Sequence, residues 1–208
     1  MHAMGLSLAL VVAALAVALA LRPWRALRAD GVLQPWLACL VLLPWVWAAQ
    51  RVMPGGVSVQ LSGACLLVLM VGWPLAVLSL LPIAAIGAWL GGIAWPQALD
   101  HLAWNGMVAA TFALAIGLAT RHWLPKHPFV FILGRGFIVT ALAMMAAGTM
   151  SAYVQPPPES TELGSVLLGH WLMAWGEALS TGMLVAIFVA FKPEWLATWS
   201  DARYLPKD

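Results

Sequence analysis

The sequence predicts an all-α polytopic membrane protein with about seven transmembrane helices, and the prediction rests on charge content and on apolar runs. Hydrophobic residues make up 63% of the 208 residues and charged residues only 9%, whereas about 25% of a soluble globular domain is charged. Ten basic and eight acidic side chains are too few to cover the surface of a soluble fold of this size. A bilayer removes that requirement, because side chains that face lipid are apolar.

Seven apolar stretches approach the length of a membrane span, which is about 20 residues. They cover residues 6–21, 35–50, 61–73, 75–92, 102–120, 129–150 and 165–191. No basic segment precedes the first stretch, so we expect a retained span and not a cleaved signal peptide. We find no internal repeat and no composition typical of a soluble domain. Residues 1–208 are therefore expected to form a single transmembrane domain with a tail from about residue 192.

Polar or helix-breaking segments separate the seven spans in turn. The first span ends at the charged segment 22–30, and the second at Pro54-Gly55-Gly56. Pro74 is expected to mark a tight turn between the third and fourth spans. Short polar connections, AWPQALDH and RHWLPKHP, flank the fifth span. Three consecutive prolines interrupt the loop before the seventh span, and Pro193 ends that span, because proline removes a helical hydrogen bond.

Basic residues between the spans predict the orientation of the chain. With seven spans, the loop after span one, the loop after span five and the tail fall on one face. That face carries eight basic residues, namely Arg22, Arg25, Arg28, Arg121, Lys126, Lys192, Arg203 and Lys207. The opposite face carries only Arg51. Because loops rich in lysine and arginine stay in the cytoplasm, the N-terminus is expected outside and the C-terminus inside.

A few ionisable side chains fall within the spans, where they are costly and often mark function. Glu177 lies in the middle of the seventh span, and His170 precedes it by two helical turns, so that both can face one side. Glu177 is interpreted either as a buried carboxylate hydrogen-bonded to helix neighbours or as a residue with a direct role in a site or in coupling. His170 is interpreted either as an interfacial residue or as a metal ligand, and His101 is a further candidate ligand.

The N-terminus has the nitrogen donors of a metal chelate. The amine of Met1, the backbone nitrogen of His2 and the His2 imidazole can form fused rings on one divalent ion. Such nitrogen-rich square-planar sites suit nickel or copper(II). By itself this dipeptide is a weak motif.

Three segments together resemble the CbiM/NikM family, the substrate-specific membrane components (S components) of energy-coupling-factor cobalt and nickel transporters. Residues 52–63 read VMPGGVSVQLSG, which is similar to the family signature Pro-Gly-Gly-x-Ser-x-His-Leu-x-Gly. The segment around Asn105 resembles the family's Ala-Asn-x-x-Asn-Met-Gly. Residues 176–196 resemble its final helix. The order of the segments, their spacing and the Met-His start agree with the family, over most of residues 1–198.

The resemblance implies a metal site, a set of partners and a location. In the family the N-terminal segment enters the core, so the implied ligands are Met1, His2 and Gln60, with Gln60 standing where the family has histidine. The implied substrate is a divalent ion, nickel or cobalt, with copper also possible. The implied partners are a membrane coupling subunit and ABC-type ATPases, since the chain has no phosphate-binding loop of its own. The implied location is the inner membrane of a bacterium.

Two other interpretations remain open. The missing histidine at residue 60 also fits a membrane subunit of the same fold that anchors or assembles a complex without transporting an ion. Ser62-Gly63 together with His170 faintly resembles an intramembrane serine protease, although Gln60 replaces the glycine of that motif. Otherwise no enzyme motif is found, and we expect no catalytic residues and no nucleic-acid partner.

Overall fold

The computed structural model describes residues 2–24, 31–49, 51–52, 58–156 and 162–204, and almost all of this part is helical. The α-helices are α1 (His2–Ala20), α2 (Leu33–Ala48), α3 (Ala64–Val71), α4 (Trp73–Gly91), α5 (Trp95–His101), α6 (Ala109–Trp123), α7 (Val139–Val154), α8 (Leu163–Phe191) and α9 (Asp201–Tyr204). The first π-helix (Leu102–Val108) joins α5 to α6, and the second (Val130–Ile138) leads into α7. A short 3-10 helix, Pro193–Trp195, follows α8. The two-residue strands β1 (Arg51–Val52) and β2 (Ser58–Val59) pair antiparallel.

The predicted all-α polytopic class is confirmed. Four continuous helical stretches are long and apolar enough to cross a membrane, and they cover Trp73–Gly91, Trp95–Trp123, Val130–Val154 and Leu163–Phe191. The first and second predicted spans correspond to the shorter apolar helices α1 and α2. Large apolar side chains such as Leu37, Trp89 and Leu179 point outward and are exposed, as a lipid-facing surface requires.

The third predicted span differs from the prediction, because it is not one continuous helix over residues 61–73. Only the eight residues of α3 are helical, a rise of about 12 Å at 1.5 Å per residue. Gly63 and Gly72 bound the helix with φ angles of 67° and 78°, which a continuing α-helix does not allow. Gly72 separates α3 from α4, and all eight residues of α3 are buried. Broken helices of this kind occur in membranes where protein surrounds them.

Hydrogen bonds locate the two ends of the helix bundle. At one end, Nε2 of Gln155, just after α7, donates to Oγ of Ser7 and to Oδ1 of Asp100. At the other end, the ring of Tyr204 packs against Phe131, with ring centroids 5.2 Å apart. The beginning of α1 and the chain end near α9 therefore lie at opposite ends, as an odd number of crossings requires.

The segment after α8 is part of the packed structure. The side chains of Leu196 and Tyr204 are buried. The backbone N–H of Ala197 donates to the carbonyl of Met70, and the hydroxyl of Thr198 donates to the carbonyl of Leu69. These bonds satisfy carbonyl groups at the C-terminal end of α3, which its own helix leaves without partners. The tail end of the bundle and the end of α3 are thus directly connected.

Candidate functional site

A buried carboxylate binds the beginning of α3. Glu177, in the middle of α8, is 1% exposed. Its Oε2 accepts the backbone N–H of Ser62 at 2.8 Å, and its Oε1 accepts the N–H of Gly63. The first N–H groups of a helix lack partners within it and carry partial positive charge, so a carboxylate there is stabilising. Glu177 is therefore a capping group for α3, which agrees with the hydrogen-bonded interpretation.

Trp47 of α2 and Asn105 of the first π-helix bind the loop at Ser62. The indole Nε1 of Trp47 donates to the carbonyl of Ser62 at 2.8 Å. The hydroxyl of Ser62 donates to the backbone carbonyl of Asn105 at 2.7 Å and accepts the N–H of Ala64. Asn105 lies within the π-helix, a geometry often found at functional sites. Because the Ser62 hydroxyl serves to hold α3, this arrangement gives no support to a protease nucleophile.

The side chain of Gln60, two residues before Ser62, is held by a hydrogen bond to the backbone of Trp47. The side chain is 5% exposed, and its Nε2 donates to the backbone carbonyl of Trp47 at 2.8 Å. Only an N–H can donate to that carbonyl, so this bond assigns the orientation of the amide. Oε1 is buried and has no hydrogen-bond partner among the described residues. A buried acceptor without a partner costs stability and indicates a missing ligand or water.

Gln60 lines a small pocket of about 10 Å³, which is roughly the room of one water molecule. The other polar side chains in its wall are Gln97 and His101, both from α5. Trp47 forms another part of the wall, and its ring packs edge-on against the His101 imidazole, with centroids 5.3 Å apart. Trp47 therefore contacts both Gln60 and His101.

Asn105 contacts the His101 ring from one helical turn further on. Its Nδ2 lies 3.1 Å from Nδ1 and 3.4 Å from Nε2 of His101. The Asn105 side chain therefore contacts the ring and restricts its position. The Asn105 and Gln60 segments lie side by side. The Ser62 hydroxyl binds the Asn105 carbonyl, and the Asn105 side chain contacts His101, which lines the same pocket as Gln60.

His170 does not line this pocket, although it lies close enough to His101 for the two imidazoles to interact electrostatically. It lies on the same helix as Glu177, and its ring packs on Gly148 of α7, where an added Cβ would approach the ring to 2.8 Å. Its Nδ1 is buried without a described partner, but the ring does not line the pocket beside Gln60. Of the three secondary candidates, His101 is the one that shares a pocket with Gln60.

The N-terminal ligands are only partly described. Met1 and the side chain of His2 lie outside the described residues, so their role as ligands stays a prediction. The backbone is helical from His2 onward, whereas the resemblance implies a segment that enters the core. Ser7 contacts the Gln155 side chain that also contacts Asp100. The amino end is therefore at the same end of the bundle as His101.

The donor set around the pocket contains amide oxygens and one imidazole. Within the described ranges, no group of three or more histidine, cysteine, aspartate or glutamate side chains is placed to hold a metal ion. A complete site at Gln60 therefore needs donors beyond that set. Neither Trp47 nor Gln97 is identified by the sequence patterns, because their roles depend on contacts between separate helices.

A protein-family profile described as "CbiM: Cobalt uptake substrate-specific transmembrane region" matches residues 2–195. No curated protein and no solved structure gives a match.

Proposed function

This chain belongs to the CbiM family of cobalt uptake substrate-specific transmembrane regions, and from that premise we propose that it captures a divalent transition-metal ion, cobalt or nickel, for uptake. The family is one of transport components, and the chain has membrane helices to match. We also propose which residues ligate the ion, which chains are its partners and how the chain is oriented in the membrane.

The observation that carries the proposal is the Oε1 atom of Gln60. It is a buried oxygen donor without a described partner, held by the Trp47 carbonyl beside a pocket of about 10 Å³. Residue 60 is also the position of the family's ligating histidine. We propose that Gln60 ligates the ion together with the Met1 amine and the backbone and imidazole nitrogens of His2. Nitrogen donors with one amide oxygen suit nickel and cobalt, and copper(II) fits the same donors.

The orientation follows from charge. Among the described residues, the basic side chains that follow or end α1, α6 and α8 lie at the end of the bundle that carries the tail; they are Arg22, Arg121, Lys126 and Lys192. Because segments with such side chains stay in the cytoplasm, we propose that the tail is cytoplasmic and that the pocket opens toward the outside of a bacterial inner membrane. The ion would then bind from the outside.

The energy for uptake has to come from other chains. The sequence contains no phosphate-binding loop, so we propose a membrane coupling subunit and ABC-type ATPases as partners. Exposed apolar side chains on the helices supply a surface for a membrane subunit, and small residues such as Ala9 and Ala13 on α1 allow close helix approach.

Removing the N-terminal donors is expected to abolish metal binding. The purified tag-free protein is dialysed against cobalt or nickel and analysed for bound metal, beside His2→Ala and a version with one residue added before Met1. Both changes destroy the fused chelate rings, so we expect the bound ion to fall from one per chain to none. Thermal unfolding of each apo-protein serves as the folding control.

Two outcomes would contradict this proposal. Unchanged stoichiometry in either altered protein would exclude the N-terminal chelate. No bound metal in the unaltered protein would favour the alternative function, a membrane subunit that anchors a complex. That alternative is favoured by the absence of histidine at residue 60.

Restoring the family ligand at residue 60 is expected to tighten binding. In Gln60→His an imidazole nitrogen replaces an amide oxygen, which is a harder and weaker donor for nickel and cobalt. We expect the Kd for nickel to fall about tenfold or more, equivalent to about 1.4 kcal/mol. Isothermal titration with Gln97→His, on another wall of the same pocket, is the matched comparison. Equal or weaker binding by Gln60→His would count against Gln60 as a ligand.

A further inference from the structure

We propose that His101 is a ligand of the transported ion and supplies from α5 the imidazole that the family signature places at residue 60. The inference rests on the proposed function and names one more donor of the same site. It arises from the shared pocket of Gln60 and His101 and from the contacts that fix both side chains.

The first step concerns the unsatisfied oxygen. Gln60 Oε1 is buried in the wall of the pocket and has no partner among the described residues, while its Nε2 is fixed on Trp47. A native fold rarely leaves such an acceptor unused. A cation in the pocket would satisfy it. One oxygen cannot hold a divalent transition ion, and His101 offers a stronger donor in the wall of the same pocket.

The second step concerns the imidazole. His101 is the one imidazole in the described wall of that pocket. Trp47 packs edge-on against its ring, and the Asn105 side chain contacts its ring nitrogens. A ligating histidine usually gives its second nitrogen to a hydrogen-bond partner that orients the ring. Asn105 holds the ring in place, with its Nδ2 3.1 Å from Nδ1 and 3.4 Å from Nε2 of His101.

Glu177 and His170 do not fit the role of this ligand. Both carboxylate oxygens of Glu177 accept backbone N–H groups at the start of α3, so using them for a metal would uncap that helix. The ring of His170 packs on Gly148 in the interface of α7 and α8 and does not line the pocket. His101 is also at the end of the bundle where α1 begins.

The test is metal binding by the purified full chain with His101→Gln, with His170→Gln as the matched control. Nickel affinity is measured by isothermal titration, and the absorption of the bound ion is recorded. Loss of an orienting partner alone lowers metal affinity about 10–100-fold, so loss of a ligand in His101→Gln should lower it about 100-fold or more. The absorption of any bound nickel should move to longer wavelength, because an amide oxygen is a weaker ligand than imidazole. His170→Gln should leave affinity and spectrum unchanged.

A reciprocal exchange covers the case in which His101→Gln fails to fold. Gln60→His/His101→Gln moves the imidazole across the pocket without changing the composition of its wall. Because Gln60→His alone is expected to gain about tenfold, this protein should gain clearly more than that over His101→Gln, as two positions that compete to supply one ligand require. Recovery distinguishes a ligand from a residue that merely supports the fold.

The outcomes separate this inference from the proposed function. If the unaltered protein binds no metal, both fail. If it binds one ion and folded His101→Gln binds equally well with the same spectrum, His101 is not a ligand and the proposed function survives. Equal losses in His101→Gln and His170→Gln would also overturn the inference, because they would show a general effect on the fold.

Discussion

Replacing Glu177 by alanine is expected to lower the free energy of unfolding by about 2–6 kcal/mol. The carboxylate accepts the N–H groups of Ser62 and Gly63 in a fully buried position. Each buried donor left without a partner costs about 1–3 kcal/mol, and the start of α3 also loses a favourable negative charge. Glu177→Gln should show a smaller effect, since one amide oxygen can still accept one of the two bonds.

Cys65 gives a local readout of the same change. Its thiol lies on α3, two residues after Gly63, and is 1% exposed. In a Cys39→Ala background, the rate of maleimide labelling reports how often α3 opens. We expect much faster labelling in Glu177→Ala. Ser180→Ala is the control on the same helix, because the Ser180 hydroxyl bonds back to backbone carbonyls of its own helix, at Gly176 and Glu177, and does not contact α3. Labelling of Glu177→Ala at the rate of Ser180→Ala would show that the cap does not hold α3.

The second large effect is expected for Gly63→Ala, which should cost about 2–5 kcal/mol. Gly63 has φ 67° and ψ 3°, the left-handed region, which costs about 1–2 kcal/mol for a residue with a Cβ. The added Cβ would also lie 2.6 Å from Cδ2 of Leu43, and overpacking costs a further 1–3 kcal/mol, roughly. Thermal or denaturant unfolding in detergent measures the sum.

Gly92→Ala separates the two contributions. Gly92 also has a left-handed backbone, with φ 61° and ψ 28°, but an added Cβ would meet nothing within 4 Å. It should therefore show only the conformational cost of about 1–2 kcal/mol. Shortening Leu43 to valine in the Gly63→Ala protein should recover part of the difference. If Gly63→Ala costs no more than Gly92→Ala, the contact with Leu43 is not tight.

Both predictions concern α3, which connects the candidate site with the tail. At its beginning, Glu177 and Ser62 hold the loop that follows Gln60. At its end, Thr198 and Ala197 bind its last carbonyl groups. Because α3 is short, fully buried and hydrogen-bonded at both ends, it connects the loop after Gln60 with the opposite end of the bundle.

Sequence reasoning located the candidate site only in part. The family resemblance identified Gln60 through residues 52–63 and Asn105 through a second segment, and the cost of a charge in a membrane identified Glu177. It did not distinguish His101 from His170, because both are isolated histidines in apolar surroundings. Trp47 supplies the distinction, through a carbonyl that binds Gln60 and a ring that packs on His101, and no spacing along the chain encodes that pair of contacts.

The sequence by itself determined that the chain is a bundle of membrane helices and located most of them, although the third is shorter than predicted and the fifth begins at Trp95, inside the predicted AWPQALDH connection. It could do so because lipid forces each crossing segment to satisfy its own backbone, which leaves length, apolar character and helix breakers as sufficient signals. Only the tertiary structure decided that α3 is a short helix capped by Glu177, and that Gln60 keeps an oxygen without a partner. Those features depend on bonds between residues as many as 115 positions apart, whose geometry is fixed by the packing of whole helices.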